Sequence, residues 1–102
     1  MVRIRRAAVA AVLLAALAPS HAAQAAFLYD FGARDVIIWS EPRAGSTPVG
    51  LGQPGEGFES EWSQEREPYQ CEWFDSVLWH HGRNTTTGVA GWVPACELDD
   101  SD

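Results

Sequence analysis

Val36-Ile37-Ile38-Trp39-Ser40-Glu41-Pro42 is the stretch on which the fold turns. Its first four residues are β-branched or aromatic, the side chains that suit a pleated, half-buried surface, so a short strand is predicted there. Ser40, Glu41, Pro42, Arg43, Ala44, Gly45 and Ser46 then form a turn-rich loop. A second short strand is predicted from Val49 to Gly52, ended by Gln53-Pro54-Gly55, whose proline and glycine suit the two central positions of a type II turn. Phe58, Ser60 and Trp62 alternate with Glu59 and Glu61, which predicts a third strand with its carboxylates on the outer face. Residues 63–68 are charged and loop-like, 69–73 and 77–80 read as further strands, and 83–88 as a polar connection. A last main strand is expected over 89–93, and a tight helical turn over 94–97, because Pro94 cannot donate to a ladder. Toward the other end, Phe27, Tyr29 and Phe31 alternate, so residues 26–34 form an edge strand or a loose arm.

Past residue 25 no stretch carries apolar residues at helical spacing, and short strands recur between turn signals. The fold class is therefore all-β, a small barrel or sandwich. Val36, Ile38, Val49, Trp79, Trp92, Val93 and Leu98 are expected to line one core. Residues 99–102 are a frayed acidic tail.

Residues 1–25 have a different character. Arg3, Arg5 and Arg6 precede a twelve-residue apolar run, Ala7 to Ala18, and Ala23-Gln24-Ala25 is a small-x-small cleavage site. That pattern predicts a secretory signal peptide, removed to give a protein that is secreted, extracellular or associated with the cell wall. The run is shorter than the roughly 20 apolar residues that a membrane-spanning helix needs, and no later segment comes closer, so no membrane association is expected after removal.

Cleavage after Ala25 leaves 77 of the 102 residues, one small domain with a thin core. In an oxidising compartment Cys71 and Cys96, the two cysteines of the chain, most simply pair with each other. On the chain-entropy model that bond adds about 3 kcal/mol. Two free thiols or an intermolecular bridge are the competing states. Three of the seven basic residues leave with the signal while all 14 acidic ones remain, a net charge of −10. So acidic a surface argues against nucleic acid and anionic wall polymers, which need cations to neutralise them.

Three motifs together resemble a known family. Val36 to Pro42, then Ser46-Thr47-Pro48-Val49-Gly50 and Pro54-Gly55, are similar to the first half of bacterial Src-homology-3-like (SH3-like) domains. Trp79, followed by Gly88-Val89-Ala90-Gly91-Trp92-Val93 and Leu98, looks like the second half, with its aromatic strand, G-[WY]-V and closing leucine. The resemblance spans residues 35–98, and its nearest look is to the small secreted actinobacterial type. It differs at Trp39, where the family usually has arginine, at Pro48, and over 59–76, which have no clear counterpart. What the resemblance implies is a partly open barrel of five to six short strands without catalytic machinery, of a kind that often binds peptidoglycan or peptides.

Among the tryptophans, Trp79 and Trp92 occupy apolar strand positions and read as core. Trp39, Tyr69 and Trp73 stand between two readings, core packing and a shallow peptide groove. As a groove they lie beside Glu41 and Glu72, whose carboxylates suit a basic or amine-bearing ligand, and Trp39→Ala is expected to weaken binding without loss of folding. His80-His81 invites a metal, yet adjacent strand residues face opposite ways and cannot readily chelate one ion, so no metal site is assigned. Glu56, Glu59, Glu61, Glu65, Glu67 and Glu72 lack the spacing of a calcium loop and read as a solvated face. No glycine-rich elbow presents a serine, so neither an enzyme nor a cofactor is expected. The expected protein is a monomeric, non-catalytic binding module for a cell-wall or other extracellular peptide. The rival reading is an inhibitor, adhesin or assembly factor that meets another protein through its acidic face.

Overall fold

The computed structural model describes residues 26–99, so the signal peptide read over residues 1–25 and all but the first residue of the acidic tail lie outside the described residues. Seven strands form one antiparallel open sheet: β1 Phe27–Phe31, β2 Val36–Trp39, β3 Pro48–Gly52, β4 Phe58–Gln70, β5 Asp75–Asn84, β6 Ala90–Pro94 and β7 Leu98–Asp99. Their order across the sheet is β3-β2-β6-β5-β4-β1-β7. The fold is all-β as expected, with seven strands where five or six were expected. Residues 27–31 are a strand rather than a loose arm, held between β4 and β7. A single 3-10 turn, Ala95–Glu97, takes the place read as helical.

The turn after β3 forms as its sequence directs. Gly55 has a φ of 95°, and the Glu56 N–H donates to the Gln53 carbonyl at 3.0 Å. From β1, the Asp30 carboxylate accepts the N–H groups of Gly55 and Gly57, pinning this turn to the far side of the sheet. Burial alone would raise the Asp30 pKa, but backbone donors from Gly55, Phe31 and Gly57 outweigh it and hold the group below its usual value.

One side of the sheet encloses the main core, formed by Phe31, Val36, Ile38, Phe58, Val93 and Leu98. Six of the seven expected core residues are buried, but not in one core: Val36, Ile38, Val93 and Leu98 belong to this cluster, whereas Trp79 and Trp92 belong to a separate one. Val49 is the correction: it is 42% exposed, because in β3 the inward positions belong to glycine. A Cβ on Gly52 would collide with the Phe31 ring, so the close approach of that ring excludes any larger residue. Val49 and Leu51 consequently face outward.

Residues 63–68 are a second correction. They are strand, not loop, and belong to the long hairpin of β4 and β5. Register breaks between Ser60 and Trp62 and between Glu65 and Tyr69, so this charged strand carries two bulges. Cys71, just past the end of β4, is bonded to Cys96 in the 3-10 turn, with Cα atoms 6.1 Å apart. The expected disulfide is present and anchors the hairpin tip to the body of the sheet.

Candidate functional site

Four directly paired residues place a row of rings across the outer side of the sheet. Trp39 of β2 faces Trp92 of β6, Trp92 faces His81 of β5, and His81 faces Trp62 of β4. Partners opposite one another in a ladder project to the same side, and successive residues to opposite sides. The row is therefore turned away from Ile38 and Val93, which enter the main core. The first bulge is what brings Trp62 into it. Ser60 pairs with Gly82 and Trp62 with His81, leaving Glu61 as the extra residue and reversing the alternation begun at Phe58. The outer side thus carries Glu59 and Trp62 together.

Toward the hairpin tip this row deepens into a second buried cluster of Trp39, Trp79 and Trp92, with Ile37 and Tyr69 packed on it. The Tyr69 ring meets Trp79 and Trp39 edge-on, at centroid distances of 5.4 and 6.5 Å. The second bulge carries the Glu67 carbonyl over Trp79, whose indole N–H donates to it at 2.8 Å. The Trp39 indole N–H is buried and lies near the Tyr69 hydroxyl, close enough to act on its charge but outside strict hydrogen-bond geometry. Burial raises the Tyr69 pKa, the Glu97 carboxylate raises it further, and the Trp39 N–H opposes the rise. Burial also raises the pKa of Glu97.

The five residues read as a groove are only partly brought together. Trp39 and Tyr69 touch, but Trp39 is 8% exposed and belongs to the packed cluster. Trp73 is 87% exposed in the connection between β4 and β5, where Glu72 is exposed beside it. Glu41 lies in the loop after β2, where its carboxylate pairs with Arg43 at 3.7 Å. Ser46 closes that loop by donating to the Arg43 carbonyl at 2.9 Å.

The two histidines take opposite sides. His80 turns inward, its Nδ1 2.8 Å from the Ser60 hydroxyl and its ring 5.1 Å from that of Tyr29. His81 turns outward onto Trp92, at 5.1 Å, and its Nδ1 lies 3.4 Å from Glu61 Oε1, an ion-pair distance without hydrogen-bond geometry. Among the described residues no three histidine, cysteine, aspartate or glutamate side chains cluster as metal ligands do.

Asn84, expected in the polar connection over residues 83–88, is instead the last residue of β5. It is fully buried at the end of β5 with both ends of its amide used. Its Oδ1 accepts the N–H groups of Thr86 and Thr87 at 2.9 and 3.0 Å, and its Nδ2 donates to Glu56 Oε1 at 2.8 Å. Glu56 Oε1 also accepts the Gln53 N–H, so one carboxylate joins two turns. Comparison with known proteins finds no matching family model, no matching curated protein and no matching solved structure.

Proposed function

We propose that the chain is a secreted, non-catalytic binding module of SH3-like, partly open barrel form, and that it holds a cell-wall or other extracellular peptide on the aromatic outer side of its sheet. The observation that carries this reading is Trp73. A tryptophan left 87% exposed stands at the tip of a hairpin that a covalent bond holds in place. Phe74 beside it is 46% exposed. Large aromatic surface offered on a fixed support favours contact with a partner, since its ordering cost is already met by the fold. Sequence motifs support the SH3-like form, and the disulfide agrees with an oxidising destination.

Trp73, Glu72 and the Tyr69 edge are the contact surface in this reading, while Trp39 supports Tyr69 from below. Sedimentation of the purified protein with cell wall at several salt concentrations tests it. Retention by wall, lost in Trp73→Ala at an unchanged melting temperature, is the expected result. A folded protein that ignores wall and wall-derived peptides yet captures one protein partner would replace this reading with the acidic-face alternative.

A further inference from the structure

The bulge in β4 does more than turn Trp62 outward. Trp62, Trp92 and His81 are mutually inclined, with Trp62 to Trp92 at 68°, His81 to Trp92 at 67° and Trp62 to His81 at 46°. Centroids lie 5.2, 5.1 and 6.0 Å apart. Such rings form a corner and not a flat platform. Trp92 and His81 pack against Trp62 and fix its ring, so the exposed part of Trp62 is a rigid aromatic surface that suits a planar cation. Trp92 is the buried wall, Trp62 is 45% exposed and open to solvent, and Glu61 stands at the rim.

The carboxylates of this rim are not equivalent. Arg83 lies directly opposite Glu59, and its Nη2 donates to Glu59 Oε1 at 3.1 Å. One guanidinium is thus already seated on this side of the sheet by a glutamate. Glu61, the extra residue of the bulge, has no arginine, and its partner among the described residues is His81. A chain with a net charge of −10 after signal removal attracts basic ligands to such a rim.

We infer that the corner made by Trp62, His81 and Trp92, with Glu61 at its edge, is a subsite for an arginine side chain of a bound peptide. The guanidinium lies flat against the Trp62 indole while its edge donates to Glu61, a combination open to a planar cation and less suited to a lysine ammonium. This inference rests on the peptide-binding reading and adds to it a second contact, separate from the Trp73 tip.

The test uses the mature protein, N-acetyl-arginine-methylamide and its neutral isostere N-acetyl-citrulline-methylamide, read from the indole N–H signals in nitrogen–proton correlation spectra. The arginine probe should shift the Trp62 and Trp92 signals in a saturable way, at least about fivefold more tightly than the citrulline probe. Glu61→Gln, a change on an exposed carboxylate that leaves the rings in place, should remove most of that preference. Trp62→Ala should abolish the response, and Trp73→Ala should leave it unchanged. Equal response to the two probes, no saturable response, or a preference that survives in Glu61→Gln overturns the subsite. Failure of the module reading looks different: wall and peptide retention would be absent from the wild type or untouched by Trp73→Ala, whatever the arginine probe does.

Discussion

Asn84→Asp exchanges one amide for a carboxylate of the same shape at a fully buried position, and its cost follows from the geometry. The new oxygen replaces Nδ2, which lies 2.8 Å from Glu56 Oε1. Two carboxylates held near 4 Å after relaxation repel by about 4 kcal/mol at an effective dielectric of about 20. The alternative is to bind a proton between them, and for a carboxyl of ordinary pKa near 4 that costs about 4 kcal/mol at pH 7. The two routes give the same ceiling, so a loss of about 3 to 4 kcal/mol is expected at neutral pH, against a total stability of roughly 5 for so small a domain. Because the penalty is a missing proton, acid should relieve it. Urea unfolding of wild type and variant should show a difference near 3 to 4 kcal/mol at pH 7.5 that shrinks to about 1 at pH 4.5. Asn84→Ala, which loses hydrogen bonds and leaves a cavity without adding charge, should show a difference independent of pH. The reasoning is refuted if Asn84→Asp matches the wild type at pH 7.5, or if its deficit is the same at both pH values.

Asp30 has a depressed pKa in the folded state, so its stabilising contribution is complete above the unfolded carboxylate range and is lost as pH falls through the lower folded value. Acid titration of stability should therefore show a shallower loss below about pH 4 in Asp30→Asn than in the wild type. Gly52→Val places side-chain atoms inside the Phe31 ring and should cost about 3 kcal/mol or more by urea unfolding; a variant as stable as wild type would mean that β3 can shift outward freely. Reduction of Cys71–Cys96 should lower stability by about 3 kcal/mol, with mass spectrometry giving a two-dalton gain as the control. Trp92→Ala, which opens both the buried cluster and the row of rings, should cost about 3 to 5 kcal/mol, and an unchanged melting temperature would contradict its burial.

Elements whose pairing and burial follow from side-chain chemistry were legible in the sequence. The β-branched run at Val36–Trp39 and the Pro54-Gly55 turn have short-range causes, the cysteine pair follows from there being two cysteines in the chain, and each is present. Residues 63–68 were illegible because all but Gln64 are exposed, which leaves no apolar alternation to read; their strand is specified by the pairing of Ser63, Gln64 and Glu65 with β5. Val49 misled because apolar character was equated with the inward position, whereas Gly50 and Gly52 face the core to admit other side chains. The same limit applies to Trp62: no residue signals that a bulge precedes it, so period-two reading assigned it to the side of Phe58. Trp39 shows how this reaches the candidate site. Substitution there removes a ring from a packed cluster, at about 3 to 5 kcal/mol, so Trp39→Ala is a stability variant and Trp73→Ala the cleaner probe of binding.

The pairing of β1 with β7 has a consequence for the order of assembly. Hairpins β2–β3, β4–β5 and β5–β6 join neighbours in the chain and close cheaply, whereas Phe31 sits opposite Leu98, nearly the full length of the described chain away. Closing that distance costs entropy before any contact repays it. Phe27 to Tyr29 can seat on β4 before then, but Phe31 stays without its cover until the residues around Leu98 are available. Folding in the millisecond-to-second range of non-local sheets is expected, with the hairpins protected from hydrogen exchange before β1.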